Sequence, residues 1–426
     1  MVATSPRPFA SLVTLQIANV LSGTANSAVL VLIPWIALDL TGSSGVAGLV
    51  VGLTGVSVLV AAPFVGAIIE RHGTRRVSIV SDLLSAVSVV LFPVLALVGA
   101  LNVATVAALA VLGALIDPAG YTARKSMIPS VATASNRSLE KVNSVHEALT
   151  GVGWVAGPAV GALLIRWVGA VDAMAATAVA FVVAALAVAL IRRQDETERA
   201  AQRQAAGGSL WRSSLEGFQA LRADRALWIF TLAIVILAGI YLPLESVVMS
   251  RHFKDIGEPG GLGLVLSAIG LGAVVGAAAF AWLCRWIKPS GIAVVGLAAS
   301  GLAVLGMASL PPTAWFAAVG FLLGVAWGPS GPLENLLVQQ RIPADLQSRV
   351  FGIQLSLFYA GTPIGAAALG LLVEWVGVQA SFVIAAVSFL AVVLGLAALG
   401  ALKPLNTPRH ADRPDQGDPQ APSAAA

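Results

Sequence analysis

Twelve apolar runs follow one another along the chain, at 10–38, 45–69, 77–99, 102–122, 142–165, 171–191, 226–250, 261–284, 290–310, 313–338, 350–373 and 378–402. Each reaches the roughly 20 residues that carry a helix across a bilayer. Their apolar positions are continuous, not alternating, so they predict helices and exclude the strands of an outer-membrane barrel. The first run follows a short Met1–Pro8 segment with one arginine and contains polar residues. It therefore reads as a retained first span and not as a cleaved signal sequence. The longest polar stretch, about 192–225, opens as RRQDETERAAQRQ and divides the runs six and six. The predicted organisation is an N-terminal six-helix bundle over 1–191, a linker over 192–225 and a C-terminal bundle over 226–403. A tail over 404–426, rich in Pro, Asp and Ala, is expected to be disordered.

Composition agrees. Of 426 residues, 58% are hydrophobic and only 11% charged, with a mean hydropathy of +0.88. A soluble chain carries about a quarter charged residues, so a soluble enzyme and a nucleic-acid binder are both excluded. The net charge of +4 and pI near 9.6 look basic only until the charges are placed. On one side of the predicted membrane fall 22 of the 25 Lys and Arg, leaving Arg166, Arg251 and Lys254 on the other. By the positive-inside rule both termini are cytoplasmic, and the basic balance reports topology. A single cysteine, Cys284, excludes an intramolecular disulfide and a cysteine metal cluster. His72, His252 and His410 show no metal-ligand spacing, and there is no phosphate-cradling Gly-rich loop with its Lys. No metal, nucleotide or other cofactor is expected, and no HExxH or triad-like motif suggests an enzyme.

The two halves also match each other. At an offset of 208 residues, Trp167-Val168-Gly169 meets Trp375-Val376-Gly377, Phe181 meets Phe389, and Gly153 and Gly157 meet Gly361 and Gly365. Ile128-Pro129 corresponds to Ile342-Pro343 once six extra residues in the first half are allowed. An even number of spans per half keeps both in one orientation. That predicts a pseudo-two-fold axis along the membrane normal, as in transporters that rock two halves around a central site.

Between the second and third runs lies Gly66-Ala-Ile-Ile-Glu70-Arg71-His72-Gly73-Thr74-Arg75-Arg76. It resembles the loop signature GxxxD(R/K)xGxRR of the major facilitator superfamily, with Glu70 in place of the usual Asp. Gly66 permits close helix approach, and the arginines anchor a cytoplasmic rim. The fifth run carries Gly153, Gly157, Pro158 and Gly161, similar to the GxxxGPxxGG signature of proton-driven exporters in that superfamily, with Ala162 replacing the last Gly. Small residues four apart allow tight packing and Pro158 bends the helix; GxxxG spacing is also common in ordinary membrane packing, as at Gly320, Gly324 and Gly328. The fourth run lacks the RxxxG motif of many exporters, and its one charge is Asp117.

Ala123-Arg-Lys-Ser-Met-Ile-Pro129, Asn143-Ser-Val-His-Glu147, Leu242-Pro-Leu-Glu-Ser246 and Trp327-Gly-Pro extend the likeness over residues 10–402. The chain is similar to the twelve-span drug:proton antiporters, and within them to the Tap-type efflux pumps of actinobacteria. The resemblance implies an all-α integral membrane protein of the major facilitator fold, with 12 transmembrane helices in two bundles. It also implies a monomer in a bacterial cytoplasmic membrane, surrounded by lipid, that exports varied drugs, tetracyclines and aminoglycosides among them, against proton entry. A dedicated exporter of one metabolite or siderophore, an uptake symporter and a non-transporting receptor are the competing readings.

An acid at bilayer depth costs about 2.5–3.5 kcal/mol, so it normally serves a pathway or a pair. Glu147, in the fifth run, and Glu245, after Pro243 in the seventh, are the expected proton carriers; a solvated mouth residue and a rim partner of Arg251 are the respective alternatives. His146 lies about 100° around the helix from Glu147, so spacing alone implies no Glu-His pair. Asp82 and Asp117 are expected to gate by pairing with Arg71, Arg75 or Arg76, with surface solvation as the alternative; Glu334 is open between these roles. In the first run Gln16, Asn19, Gly23 and Asn26 share one face. In lipid such a stripe either lines a cavity or hydrogen-bonds another helix. Gln16, Asn19, Asn26, Asn143, Trp154, Trp327, Gln354 and Tyr359 are the candidate substrate-cavity residues.

Overall fold

The computed structural model describes residues 7–137, 139–191 and 210–407. Its helices are α1 (Arg7–Thr41), α2 (Ser44–His72), α3 (Thr74–Leu97), α4 (Val103–Ser126), α5 (Ile128–Ala134), α6 (Leu139–Val168) and α7 (Ala170–Ala189). They continue as α8 (Leu210–Ala223), α9 (Arg225–Pro243), α10 (Ser250–Asp255), α11 (Pro259–Leu283), α12 (Pro289–Met307), α13 (Thr313–Trp327), α14 (Ser330–Arg341) and α15 (Ala344–Ala398). A π-helical turn, Leu244–Met249, joins α9 to α10. Eleven stretches of helix among the described residues are long and apolar enough to cross a membrane. The last is α15, which breaks at Gly377 (φ 81°, ψ 173°) and so makes two passes. Twelve crossings result, in the expected all-α architecture.

Sequence chemistry explains the boundaries. Ser43 caps α2 by accepting from the Val46 amide at 3.0 Å, Asn102 and Thr105 form a reciprocal capping box on α4, and Asp224 caps α9 through the Leu227 amide. Gly169 and Gly377 occupy equivalent turns at φ 86° and 81°, a left-handed backbone that glycine adopts without strain.

The internal repeat is physical. Gly153 and Gly157 face the α1 backbone around Gly23 and Thr24, while Gly361 and Gly365 face the α9 backbone around Val235 and Gly239. Phe181 and Phe389 are both buried. Each half thus packs its fifth crossing against its first through the same small-residue contact, where backbones approach closely because no side chain intervenes.

Three boundaries differ from the sequence expectation. α4 runs to Ser126, which carries Arg124 inside the helix, where the apolar run had ended at 122. Part of the expected linker is helical: α8 packs Gly217 against Arg349 and pairs Glu216 with it. The expected disordered tail is anchored through residue 407, because Arg341 donates to the carbonyls of Pro404 (3.0 Å) and Thr407 (2.7 Å). Residues 408–426 and 192–209 lie outside the described residues.

With an even number of crossings the first and last described residues, Arg7 and Thr407, lie at one end of the bundle, the terminal end; the opposite end is the far end. The halves meet along α2 with the first pass of α15 and along α6 with α11. Gly48 approaches Ala366 and Gly370, Gly52 and Gly55 approach Pro363, and Gly263 approaches Ala159 and Ala162. Lys254 pairs with Asp39 at 2.6 Å, Arg251 donates to the Gly42 carbonyl, and Ser43 donates to Glu374. Among the described residues, the recorded hydrogen bonds and ion pairs between halves all lie in the far-end half. The seam is closed there.

Within the C-terminal half, α11 and α13 press backbone to backbone: a side chain at Gly324 would reach 2.7 Å from the Ala273 nitrogen. Gly324→Val is expected to destabilise the protein by about 1–3 kcal/mol through overpacking. Gly395→Ala, where nothing lies within 4 Å, is expected to be neutral or stabilising. Thermal unfolding of the purified variants checks the contrast.

Candidate functional site

Three helices of the N-terminal half bring polar side chains together deep in the bundle. Ser22 comes from α1, Asp82 from α3 and Arg124 from α4. Arg124 Nη1 donates to both carboxylate oxygens of Asp82 at 2.9 Å, and Nη2 donates to Ser22 Oγ at 2.9 Å. Ser22 in turn donates to Asp82 Oδ1 at 2.9 Å. The ion pair's side chains are only 2% and 3% exposed. Gly120, one turn before Arg124, leaves room for the Ser81 hydroxyl and the guanidinium. One turn along α3, Ser85 donates to Asp117 Oδ1 at 2.6 Å. Two acids therefore share the neighbourhood of one arginine.

This corrects the expected gating pairs. Asp82 meets Arg124, not Arg71, Arg75 or Arg76. Arg71 and Arg76 are exposed, and Arg75 donates to the Ala189 carbonyl, tying the start of α3 to the end of α7. Gly66 and Glu70 belong to α2, but the Glu70 side chain lies outside the described residues; Gly73 forms the turn at φ 82°. The positive-inside rule by itself places Arg124 at the rim. Its spacing from Gly120 was the available signal.

At the α1–α6 contact, Gln16 and Asn19 hydrogen-bond another helix and do not line open space. Asn19 Nδ2 donates to the His146 carbonyl (3.3 Å) and to Thr150 Oγ1 (2.9 Å), and Gln16 Oε1 lies 3.1 Å from His146 Nδ1. His146 is fully buried, whereas its neighbour Glu147 is about half-exposed and pairs with Lys125 at 2.7 Å. Glu147 thus lacks the burial expected of it. Asn26 is half-buried on the same α1 face, Trp154 is 45% exposed, and the Asn143 side chain lies outside the described residues. Gly153, Gly157 and Gly161 all face α1, and Pro158 lies inside α6.

The C-terminal half brings Glu245, in the π-helical turn after Pro243, against Tyr241, with which it hydrogen-bonds. Such turns mark places where helix geometry has been adjusted locally, often at functional sites. Tyr241 stacks on Trp327, with ring centroids 5.0 Å apart at 15°, and Trp327 meets Phe389 edge-on. Gln354 is buried and donates to Thr231 at 2.9 Å, so it ties α15 to α9; Tyr359 is half-buried beside Phe358. Glu334, on α14, is half-buried. Nothing in linear spacing shows the aromatic stack of Tyr241 or the inter-helix contact of His146.

Removing one member of the buried pair strands the other. Asp82→Asn is expected to cost about 3–5 kcal/mol, because the Arg124 charge stays buried without its partner. The double variant Asp82→Asn, Arg124→Gln is expected to recover much of that loss. A double-mutant cycle in thermal stability checks it.

The family model described as Major Facilitator Superfamily matches residues 15–366. Among curated relatives, the chain is 35% identical over 391 residues to the multidrug efflux pump Tap of Mycolicibacterium fortuitum, covering 91% of this chain and 95% of that one. It is 32% identical over 403 residues to the pump of the same name from Mycobacterium tuberculosis, covering 93% and 94%. The crystal structure of the nucleoside transporter NupG superposes with a TM-score of 0.76 over 92% of this chain and 99% of that chain. At 12% identity that likeness concerns the fold alone. Twelve crossings in two matching halves, together with these full-length likenesses, make the chain a member of the Major Facilitator Superfamily of membrane transporters, and not an enzyme.

Proposed function

We propose that this transporter exports amphipathic small molecules, drugs among them, in exchange for protons by alternating access. It does so in a bacterial cytoplasmic membrane with both termini in the cytoplasm. The observation that carries this reading is the imbalance of charge inside the bundle. Asp82 has Arg124, but Asp117, Glu245 and Glu334 form no ion pair among the described residues. Carboxylates kept within a membrane without a basic partner are costly, and binding a proton removes the charge. The names of the Tap relatives supply the direction of transport and the class of cargo.

The conformation supports the same cycle. With the terminal end in the cytoplasm, far-end closure is the closure that an inward-facing state requires. Cargo loads from the cytoplasm in this state, and protons carried from outside leave. Opening the far end requires the glycine seams of α2 with α15 and of α6 with α11 to part, along with the Lys254–Asp39 and Arg251–Gly42 contacts. The three basic residues outside the cytoplasmic set then have a reason to be there: two of them hold the outer gate, and Arg166 lies beside Gly260 at the same seam. One proton crossing ~100 mV supplies ~2.3 kcal/mol, about a fifty-fold gradient of a neutral solute at ~1.4 kcal/mol per tenfold.

In proteoliposomes, tetracycline is expected to move uphill when a pH gradient is imposed and to exchange by counterflow without one; absence of any gradient-driven movement would overturn the coupling. Glu245→Gln is expected to lose the driven movement while keeping counterflow. Glu147→Gln, which removes only an exposed pair worth about 0–1 kcal/mol, is expected to transport close to wild type. Replacing Asp39 and Lys254 by Ala is expected to raise far-end accessibility to a thiol reagent at an introduced cysteine, by up to about fivefold for a pair of that strength. Unchanged labelling would argue against a gate.

A further inference from the structure

We infer that His146 is a proton-binding site of the N-terminal half, linked through α1 to the Arg124–Asp82 pair. The inference rests on the proton-coupled reading above for its role, but its geometry stands alone. His146 is fully buried at the contact of α6 with α1. Its Nδ1 meets Gln16 Oε1 at 3.1 Å, while its Nε2 and the Gln16 Nε2 are buried with no hydrogen-bond partner. A buried polar atom left without a partner forfeits its hydration with nothing in return. An imidazole that served only to join two helices would be satisfied on both nitrogens or replaced by an apolar side chain. Two orphans on one pair of contacting side chains mark a place that takes up something small and polar, and the imidazole can bind a proton there.

The polar face of α1 runs from that place into the bundle. Gln16, Asn19 and Ser22 are spaced three apart, so they lie near one another along one side of the helix. Gln16 touches His146, Asn19 binds the His146 carbonyl and Thr150, and Ser22 bridges Arg124 and Asp82. Arg124 Nε is a third buried polar atom without a partner. Beyond it lies Asp117, held by Ser85. His146 and the two acids therefore belong to one polar strand through an otherwise apolar half. Around the imidazole, α4 contributes Arg124 and Lys125, and α6 itself contributes Glu147. α1 brings only the uncharged Gln16 and Asn19. Neither α5 nor α11 contains a titratable residue, and the acid of α7, Asp172, lies in its first turn at the far end.

A proton on His146 in this conformation faces two cations on α4 with Glu147 as the nearby countercharge. Export by exchange asks for that: in the inward-facing state the coupling group must give its proton up. When the far end opens, the seam of α6 with α11 is one of the two that part, and His146 is carried on that same α6.

Two measurements decide it. In nanodiscs, 15N spectra of the four histidine rings, with His146 assigned through H146Q, are expected to show that ring passing from its neutral to its charged form as the pH is lowered through the range in which imidazoles titrate, about pH 5 to 8. Asp82→Asn is expected to move its midpoint. A ring fixed in one neutral form throughout overturns the inference, whether or not the transporter is proton-driven. In proteoliposomes loaded with tetracycline, H146Q, which can still hydrogen-bond Gln16, is expected to keep counterflow and lose movement driven by a pH gradient. Wild-type driving in H146Q overturns the inference and leaves proton coupling standing; a wild type that is itself not driven by the gradient defeats the proposed function instead.

Discussion

A guanidinium held 2% exposed inside a membrane bundle constrains everything around it. Arg124 is tolerable only because Asp82 neutralises it and Ser22 accepts a further donor, and those partners come from two other helices. Its position fixes the mutual placement of α1, α3 and α4, and Gly120 leaves room for both the Ser81 side chain and the guanidinium. Replacing a buried ion pair by apolar residues often costs nothing in stability. A pair kept here therefore points to use, and Asp117 beside it adds a charge that the arginine does not neutralise.

Lipid offers no hydrophobic drive for helices to associate, so contact depends on close packing of small residues. The seams described above are made that way, within each half by Gly153 and Gly157 or Gly361 and Gly365, and between halves by Gly48, Gly52 and Gly263. Such seams are shallow and nearly featureless, which suits surfaces that must slide or part. The polar contacts that hold the far end closed are the half-exposed Lys254–Asp39 pair and two side-chain bonds at helix ends. On the proposed reading, the energies that separate the two conformations are small, within reach of one proton's worth of work.

The halves share a backbone plan but divide their chemistry unequally. Charge in the N-terminal half is networked through Ser22, Asp82 and Arg124. The C-terminal half places Glu245 on an irregular turn beside an aromatic stack, with no ion pair among the described residues. On the proposed reading, such a division offers one site where a proton competes with an arginine and another where it neutralises a lone acid beside packed aromatic rings.

Much of this was legible in the chain itself. Continuous apolar runs determine twelve crossings because lipid forbids unsatisfied backbone, and Trp167-Val-Gly169 against Trp375-Val-Gly377 determines the repeat because both glycines must turn at positive φ. The loop and helix motifs determine the family. Even the scarcity of charge singles out Asp82, Asp117, Glu147 and Glu245 as residues to explain. Partnership was decided only in three dimensions. Nothing in the sequence places Arg124 inside the bundle, turns Glu147 toward Lys125 or buries His146 against Gln16. Those outcomes depend on which helix faces which, over separations of 42 residues for Asp82 with Arg124 and 130 for Gln16 with His146. Hydropathy acts on each segment alone, whereas burial and pairing belong to the packed bundle; the same acid is a surface charge or a proton site according to the helix that covers it.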